Sequence, residues 1–189
     1  MLKKKIISIT GTLGSGKSST ADLVAKKLGF KRFSAGDFTR KIALEMGISL
    51  NELSKKEEED KSIDLRVDEE LTKAGETEKS VIDARMAFHF IPNSFKVYLE
   101  LPPEIAKGRI LKNITENPLR QQSEDAKTPE EVYEKIIQRL NSEKKRYTEY
   151  YNIDHTDKTK FDLVINTNEN SLEKVADTIV SSYKDWIAG

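Results

Sequence analysis

The stretch of sequence that decides the fold is Gly11-Thr12-Leu13-Gly14-Ser15-Gly16-Lys17-Ser18. It matches the phosphate-binding pattern G-x-x-x-x-G-K-[ST] at every fixed position. Glycines permit the tight backbone that turns several amide N–H groups towards one anion, and a helix that begins near Lys17 adds the positive end of its dipole. Lys17 can reach the β- and γ-phosphates of ATP, and the Ser18 hydroxyl can bind Mg²⁺. We expect the whole loop, with the following Ser19, to bind the nucleotide.

The segments around this loop fit the strand and helix that a phosphate-binding loop joins. Residues 6–9 are short, apolar and β-branched, which is typical of a strand buried on both faces, and residues 17–28 follow a helical pattern. Strands are also predicted at 31–34, 81–83, 95–101 and 163–165. Further helices are predicted at 37–46, 52–59, 63–71, 103–113 and 129–151, with one more at the carboxyl end. This alternation predicts a three-layer α/β/α fold with a parallel sheet, in a single domain over residues 1–189.

Two polar segments, 37–75 and 114–129, are predicted to leave this core without forming separate domains. The second contains Arg120 and has no clear periodicity. A phosphoryl-transfer enzyme must exclude water, and a loop that closes over the substrates does so. Segment 114–129 is therefore predicted to be a lid, although a long polar loop can also be ordinary surface.

The overall composition excludes several classes of protein. The 32 basic residues balance 32 acidic ones, so no net field favours nucleic acid or an anionic membrane. The chain has no cysteine and only two histidines, His89 and His155, which offer no convincing metal site or nucleophile. No stretch approaches the roughly 20 apolar residues of a membrane span. We expect a cytoplasmic monomer whose partner is a small molecule.

Two arginines follow predicted strands at the edge of the sheet where ligands bind. Arg40 comes shortly after Ser34, and Arg85 follows residues 81–83. Arginine binds phosphate oxygens in pairs and never loses its charge, although a single arginine is more often an ordinary surface residue. Asp83 ends the strand before Arg85, where a carboxylate commonly orients a water bound to Mg²⁺; the alternative is a helix N-cap.

Arg139 and Arg146 lie seven residues apart on the long predicted helix, so they share one face. Glu143 lies between them at helical spacing to both. Two interpretations are equally open from spacing alone: a pair of phosphate-binding cations, or an exposed ladder of ion pairs worth a few tenths of a kcal/mol.

Phosphate binding alone does not establish kinase chemistry. A GTPase would need an Asp-x-x-Gly after a strand and an Asn-Lys-x-Asp for guanine, and the sequence has neither. A mechanical ATPase would usually be larger. A nucleotide-binding regulatory protein with little turnover stays an alternative.

The chain as a whole resembles the nucleoside monophosphate kinases, most closely the cytidylate kinases of the archaeal type. Besides the phosphate-binding loop, the resemblance rests on residues 34–37 with Arg40, 58–60, 63–64, 83–85, Arg139, Glu143, 146–147, 151–154 and 161–167. It implies a five-stranded parallel sheet, a monophosphate-binding insert at 37–75 and the lid. It also implies that the loop after Asn166-Thr167 lies near the adenine of ATP.

The resemblance also implies roles for individual residues. Arg40 and Arg85, with Asp37 nearby, would bind the acceptor phosphate, and Arg139 and Arg146 the migrating phosphoryl group. The candidates for reading the base are Asp64 and Asp68, which a solvated helix explains equally well. The expected reaction is transfer from ATP to CMP or dCMP. The alternative within the class is a kinase of shikimate or dephospho-coenzyme A type.

Overall fold

The structure of the chain, a computed structural model, describes residues 3–116 and 128–189. In these residues the strands are β1 (Ile6–Gly11), β2 (Lys31–Ser34), β3 (Ser80–Asp83), β4 (Phe95–Glu100) and β5 (Leu163–Asn166). The helices are α1 (Lys17–Leu28), α2 (Ala35–Met46), α3 (Leu50–Glu59), α4 (Lys61–Ala74), α5 (Ala87–Phe90), α6 (Pro103–Glu116), α7 (Pro129–Tyr151) and α8 (Leu172–Ala188). A short 3-10 helix covers Lys158–Lys160. None of these described helices is both long and apolar enough to cross a membrane.

The five strands form one parallel sheet in the order β2-β3-β1-β4-β5. Every residue of the central strand β1 is buried, as its short β-branched sequence predicts for a strand covered on both faces. The predicted five-stranded parallel sheet is confirmed.

Helices cover both faces of the sheet. On one face, β1 and its neighbours pack against α1 and α8 through side chains such as Ile9, Val24 and Ile179, each fully buried. On the other face, Ile6 and Ile82 pack against α4 and α5. Burying one such side chain stabilises the fold by about 1.5–3 kcal/mol. The predicted three-layer α/β/α arrangement is confirmed.

The strand order places a ligand-binding crevice at the carboxyl edge of β1. The chain passes from β1 to β2 and β3 on one side of the sheet, and then crosses to β4 and β5 on the other side. At such a switch point the loops after neighbouring strands diverge and leave a crevice. The loop between β1 and α1 and the turn after β3 both open into it.

Helices α2, α3 and α4 connect β2 to β3 and pack on one another around Ile42, Leu53 and Ile63. Ser49 is the N-cap of α3: its hydroxyl accepts from the Glu52 amide at 3.2 Å, and the Glu52 carboxylate accepts from the Ser49 amide at 2.8 Å. These three helices occupy most of the predicted insert 37–75. Its role in binding a monophosphate stays a prediction.

The predicted lid can be located only by its ends. Residues 114–116 are the last residues of α6, and Thr128 caps α7 by accepting from the Glu131 amide at 3.2 Å. Residues 117–127, which include Arg120, lie outside the described residues. The two flanking helices pack together around Ile110 and Ile136.

Candidate active site

The loop between β1 and α1 has the backbone that its glycines predict. A Cβ on Gly11 would lie 2.2 Å from the Leu99 carbonyl oxygen of the neighbouring strand, so only glycine fits there. Gly16 caps α1 in the left-handed region, with φ 81°, and contributes no side chain to the cap. The amide groups of the first turn of α1 are therefore available to an anion, because Gly16 has no side chain to cap them.

Hydrogen bonds fix the positions of Thr12 and Lys17 in this loop. The Leu101 amide donates to the Thr12 hydroxyl at 2.8 Å, which ties the loop to the end of β4. The Ser15 hydroxyl donates to the Thr12 carbonyl at 2.8 Å and closes the turn. Lys17 Nζ lies 3.3 Å from the Gly11 carbonyl oxygen, so the ammonium group folds back over the loop where a phosphate would bind.

Ser18 and Asp83 meet at the carboxyl edge of the sheet. The Ser18 hydroxyl donates to Asp83 Oδ2 at 2.7 Å, and Asp83 is buried at the end of β3. One hydroxyl and one carboxylate are oxygen ligands of the kind that Mg²⁺ prefers, and the ion usually completes its shell with water and phosphate. The two residues fit the predicted magnesium site, whereas Asp83 does not cap a helix in the described structure.

A cleft of about 290 Å³ extends from this position towards α2, α4 and α7. Its lining includes Lys17, Ser18, Asp83, Arg40, Arg85 and Arg146. The fold thus brings the predicted donor site and three of the predicted arginines to one cavity. Arg139 lies on α7, but its side chain is outside the described residues, as is the whole of Arg120.

Arg40 and Arg85 each donate to a carboxylate beside the cleft. Arg40 donates to Asp37, one turn earlier on α2, and both side chains are about half exposed. Arg85 donates to Glu143 on α7, and both of these side chains are mostly buried. The Thr10 hydroxyl donates to the Ala84 carbonyl at 2.9 Å and fixes the turn that carries Arg85.

Two neutral rings, His155 and Tyr147, lie near the Arg85–Glu143 pair. Burial lowers the pKa of His155 to about 4, and the nearby charge of Arg85 lowers it further in the same direction. Burial raises the pKa of Tyr147 well above its ordinary value, so the phenol keeps its proton. The His155 and Tyr147 rings meet edge to face, 5.7 Å apart. Neither ring therefore adds a charge next to Arg85.

Arg146 is the centre of a buried ion cluster and not part of an exposed ladder. Its Nε donates to Asp64 at 2.7 Å, one terminal nitrogen to Glu57 at 2.8 Å, and the other to Ser142 at 2.6 Å. Only 3% of the arginine side chain is exposed. Burial raises the pKa of Asp64, and the hydrogen bond and charge of Arg146 oppose that rise. Glu143, which lies between Arg139 and Arg146 along α7, pairs with Arg85 on the turn after β3.

The two aspartates proposed to read the base occupy different places. Asp64 lines the cleft beside Arg146, whereas Asp68 accepts a hydrogen bond from the Tyr151 hydroxyl and lines a separate shallow depression on α4. Burial raises the pKa of Asp68 to about 6, and repulsion from Asp64 adds to the effect. Asp64 therefore stays a candidate for contact with a ligand, and Asp68 faces away from the cleft.

Sequence patterns missed two arginines that join elements at the site. Arg109 on α6 donates to the Thr167 carbonyl at 3.0 Å, which ties α6 to the loop after β5. Arg32 on β2 contacts Asp83. The strand containing Arg32 was recognised, but only the pairing of β2 with β3 shows which carboxylates its side chain reaches.

The chain is similar to known kinases over nearly its full length. Residues 7–138 match a family described as an AAA domain. A cytidylate kinase of Sulfurisphaera tokodaii is 35% identical over 185 residues, which are 96% of both chains. A cytidylate kinase of Archaeoglobus fulgidus is 33% identical and covers 93% of both chains. Among solved structures, a shikimate kinase from Aquifex aeolicus matches 97% of this chain and 99% of its own, with a TM-score of 0.57 and 17% identity; that likeness shows the fold alone.

Proposed function

Because the chain belongs to the cytidylate kinase family and is an ATP-dependent nucleoside monophosphate kinase, we propose that its acceptor is CMP or dCMP. The products are the nucleoside diphosphate and ADP. The observation that carries the proposal is the cleft in which the phosphate-binding loop lies opposite Arg40, Arg85 and Arg146, each paired with a carboxylate. A monomer in the cytoplasm stays our expectation, and size-exclusion chromatography tests the oligomeric state.

The donor half of the cleft is the loop with Lys17, Ser18 and Asp83. The loop amides bind the phosphates of ATP, and Lys17 neutralises charge on the β- and γ-phosphates. Ser18 and Asp83 would hold Mg²⁺, which supplies further neutralisation of the phosphates when it is bound. The Asp83 carboxylate is fixed by the Ser18 hydroxyl at 2.7 Å, so little reorganisation is needed at this end.

The acceptor half would bind the monophosphate through Arg40 and Arg85. Each guanidinium is positioned by a carboxylate, Asp37 or Glu143, and each lines the cleft. Phosphate oxygens can replace those carboxylates as acceptors of the same N–H groups. A carboxylate and a phosphate each present two oxygens that match the spacing of two guanidinium N–H groups. An acceptor oxygen held in line with the γ-phosphate can then attack without a covalent enzyme intermediate.

The base would lie against Asp64 and Arg146. The amino group of cytosine donates hydrogen bonds, and its ring nitrogen and carbonyl accept them, so a carboxylate beside a guanidinium complements its edge. Uracil presents a carbonyl in place of the amino group, and this carbonyl would face the Asp64 carboxylate without a proton between them. Arg146 donates to Asp64 at 2.7 Å and to Glu57 at 2.8 Å. We propose that it holds these two carboxylates in position to contact the base.

Two further arginines, Arg120 and Arg139, are assigned a role from their position in the sequence. Arg120 lies in segment 114–129 and Arg139 lies ten residues beyond it on α7, and we propose that both approach the migrating phosphoryl group when the segment closes and excludes water. The alternative of a shikimate-type acceptor is less favoured, because Arg40 and Arg85 together suit an acceptor that already carries a phosphate.

The decisive experiment measures ADP release with ATP and Mg²⁺ against a panel of CMP, dCMP, UMP, AMP, GMP, shikimate and dephospho-coenzyme A. Strong stimulation by CMP or dCMP over the other compounds is expected. The Lys17→Ala variant, purified in parallel, is the control for a contaminating kinase. Stimulation by another monophosphate would move the base assignment and keep the chemistry. ATP binding without stimulation by any compound would instead support a regulatory protein.

A further inference from the structure

Arg32 lies behind the cleft and contacts three carboxylates. Its Nη2 donates to Asp83 Oδ2 at 3.2 Å and its Nη1 donates to Asp37 Oδ2 at 3.3 Å. Its Nε lies 3.1 Å from Asp22 Oδ1 in an ion pair. The side chain is 21% exposed and is not part of the cleft lining. Arg32 therefore acts on the cleft only through the residues it holds.

The parallel sheet explains why these groups meet. Arg32 is in register with Val81 on β3, and residues in register point to the same face of a sheet. Asp83 is two residues beyond Val81, so it shares that face. Helix α1 covers this face of the sheet. Asp22 follows Ser18 by four residues, so the side chains of Ser18 and Asp22 lie on the same side of α1, where they reach Asp83 and Arg32.

These contacts form a continuous path across the site. Ser18 donates to Asp83, Asp83 accepts from Arg32, Arg32 donates to Asp37, and Asp37 accepts from Arg40. Its first two members are the residues that fit magnesium. Its last member is the exposed arginine assigned to the acceptor phosphate. One guanidinium thus joins the donor end of the cleft to the acceptor end.

We propose that Arg32 is a positioning residue that couples binding of the acceptor phosphate to binding of ATP with magnesium. The proposal rests on the function given above. When Arg40 turns from Asp37 to a phosphate, Asp37 keeps Arg32 as its cation, and the guanidinium moves towards it. Asp83 then gives up part of its interaction with Arg32 and interacts more strongly with a cation bound at the donor end. Each substrate consequently strengthens the binding of the other.

The shape of the arginine side chain is essential to this coupling. Its two terminal nitrogens lie in one rigid plane, so a movement that tightens one hydrogen bond loosens the other. A lysine at the same position would keep the positive charge between Asp37 and Asp83. Its single nitrogen on a flexible stem would not transmit the position of one carboxylate to the other.

The experiment measures binding of a non-hydrolysable ATP analogue with Mg²⁺ by titration calorimetry, with and without saturating CMP. In the wild type, CMP should tighten the analogue by about 5-fold or more, and by linkage the analogue should tighten CMP by the same factor. In Arg32→Lys the factor should fall to within about 2-fold of unity, while the melting temperature stays near that of the wild type. Asp37→Ala removes both acceptor oxygens that join Arg32 to Arg40 and should lose the coupling as well.

Two control variants separate coupling from general stability. Asp22→Ala removes the third contact of Arg32 and leaves the path from Ser18 to Arg40 intact, so it should keep the coupling. Arg66→Leu removes an exposed arginine paired with Glu45 and should also keep it. Wild-type coupling in Arg32→Lys, its loss in either control variant, or its absence from the wild type would overturn the proposal.

Turnover measured on the same preparations separates this inference from the proposed function. CMP-dependent ADP release together with unchanged coupling in Arg32→Lys means that the inference is wrong and the kinase assignment stands. No release with any monophosphate in the wild type means that the proposed function is wrong, and the inference with it.

Discussion

At the scale of single residues, the arginines of the cleft differ in what they can give to a ligand. Among the residues that the structure describes, Arg40 and Arg85 each pair with one carboxylate and are partly exposed, so a phosphate can compete for them. Arg146 pairs with two buried carboxylates, Glu57 and Asp64. If Arg146 turned to a phosphate, both carboxylates would be left buried without a cation, which is costly. A role for Arg146 in directly binding a migrating phosphoryl group stays a prediction, and the buried cluster favours a positioning role at the base.

Arg85→Ala should weaken the acceptor far more than ATP. A hydrogen-bonded charge pair with phosphate contributes about 1.5–3 kcal/mol, so we expect the KM for CMP to rise by about 10- to 100-fold. The KM for ATP should change little, because the donor site is formed by Lys17, Ser18 and Asp83. Steady-state kinetics with each substrate varied in turn provide the measurement.

The matched control for this change is Glu143→Gln, which removes the charge that holds Arg85 and keeps the arginine. It should leave the KM for CMP within a few-fold of the wild type. Equal losses for CMP and ATP in Arg85→Ala would show that Arg85 supports the whole cleft and does not bind the acceptor phosphate in particular.

At the scale of elements, α7 is attached to the helices between β2 and β3 mainly by polar contacts. Arg146→Leu should destabilise the protein by about 3–5 kcal/mol, because it leaves the buried carboxylates of Glu57 and Asp64 without their cation. Arg66→Leu removes an exposed ion pair and should cost at most about 1 kcal/mol. Urea unfolding of the two variants measures both values, and similar losses for the pair would contradict the buried cluster.

The burial of Asp68, which accepts a hydrogen bond from Tyr151 between α4 and α7, makes stability depend on pH. The pKa of Asp68 is raised by burial to about 6 from about 3.9 in the unfolded chain. The folded protein therefore binds this proton more tightly, so the contribution is fully present below pH about 4 and is lost as the pH rises to about 6. Asp68→Asn should be more stable than the wild type above this window and equal to it below.

Urea unfolding on either side of this pH window tests the prediction. Glu69→Gln is the control, since Glu69 is exposed on the same helix and its replacement should not change the pH dependence. If Asp68→Asn and the wild type differ equally at both ends of the window, ionisation of Asp68 is not the cause.

The longer helices were predicted from the sequence with bounds that differ by up to about three residues at an end, as α3 shows with 52–59 predicted and Leu50–Glu59 observed. The four-residue helix α5 and the 3-10 helix at Lys158–Lys160 were missed, because one turn is too short to show a period. The pairing of Glu143 with Arg85 was also missed. Helical spacing describes contacts within α7, whereas this contact joins α7 to the turn after β3.

At the scale of the whole molecule, short sequence patterns predicted the fold class and the phosphate-binding loop. The contacts between distant segments became visible only from the pairing of the strands in the structure. The phosphate-binding loop predicts its own geometry, because the glycines and the flanking strand and helix are neighbours in sequence. The path through Arg32 depends on β2 lying beside β3, which are separated by three helices along the chain. Contacts of this kind follow from the topology of the sheet and not from any short pattern.

The fold as a whole should depend on the missing side chain at Gly11. A Cβ there would lie 2.2 Å from the Leu99 carbonyl oxygen, in the backbone of the adjacent central strand, where no side-chain rotation can relieve the clash. Gly11→Ala should separate β1 from β4 and lower the free energy of unfolding by several kcal/mol, at about the scale of a severe core substitution. Gly108→Ala is the matched control, since an added Cβ on this glycine of α6 meets nothing within 4 Å. It should stabilise the protein by about 0.5–1 kcal/mol through the better helix propensity of alanine. Urea unfolding of the two variants compares them directly, and equal midpoints would mean that the close approach of β1 and β4 does not restrict position 11.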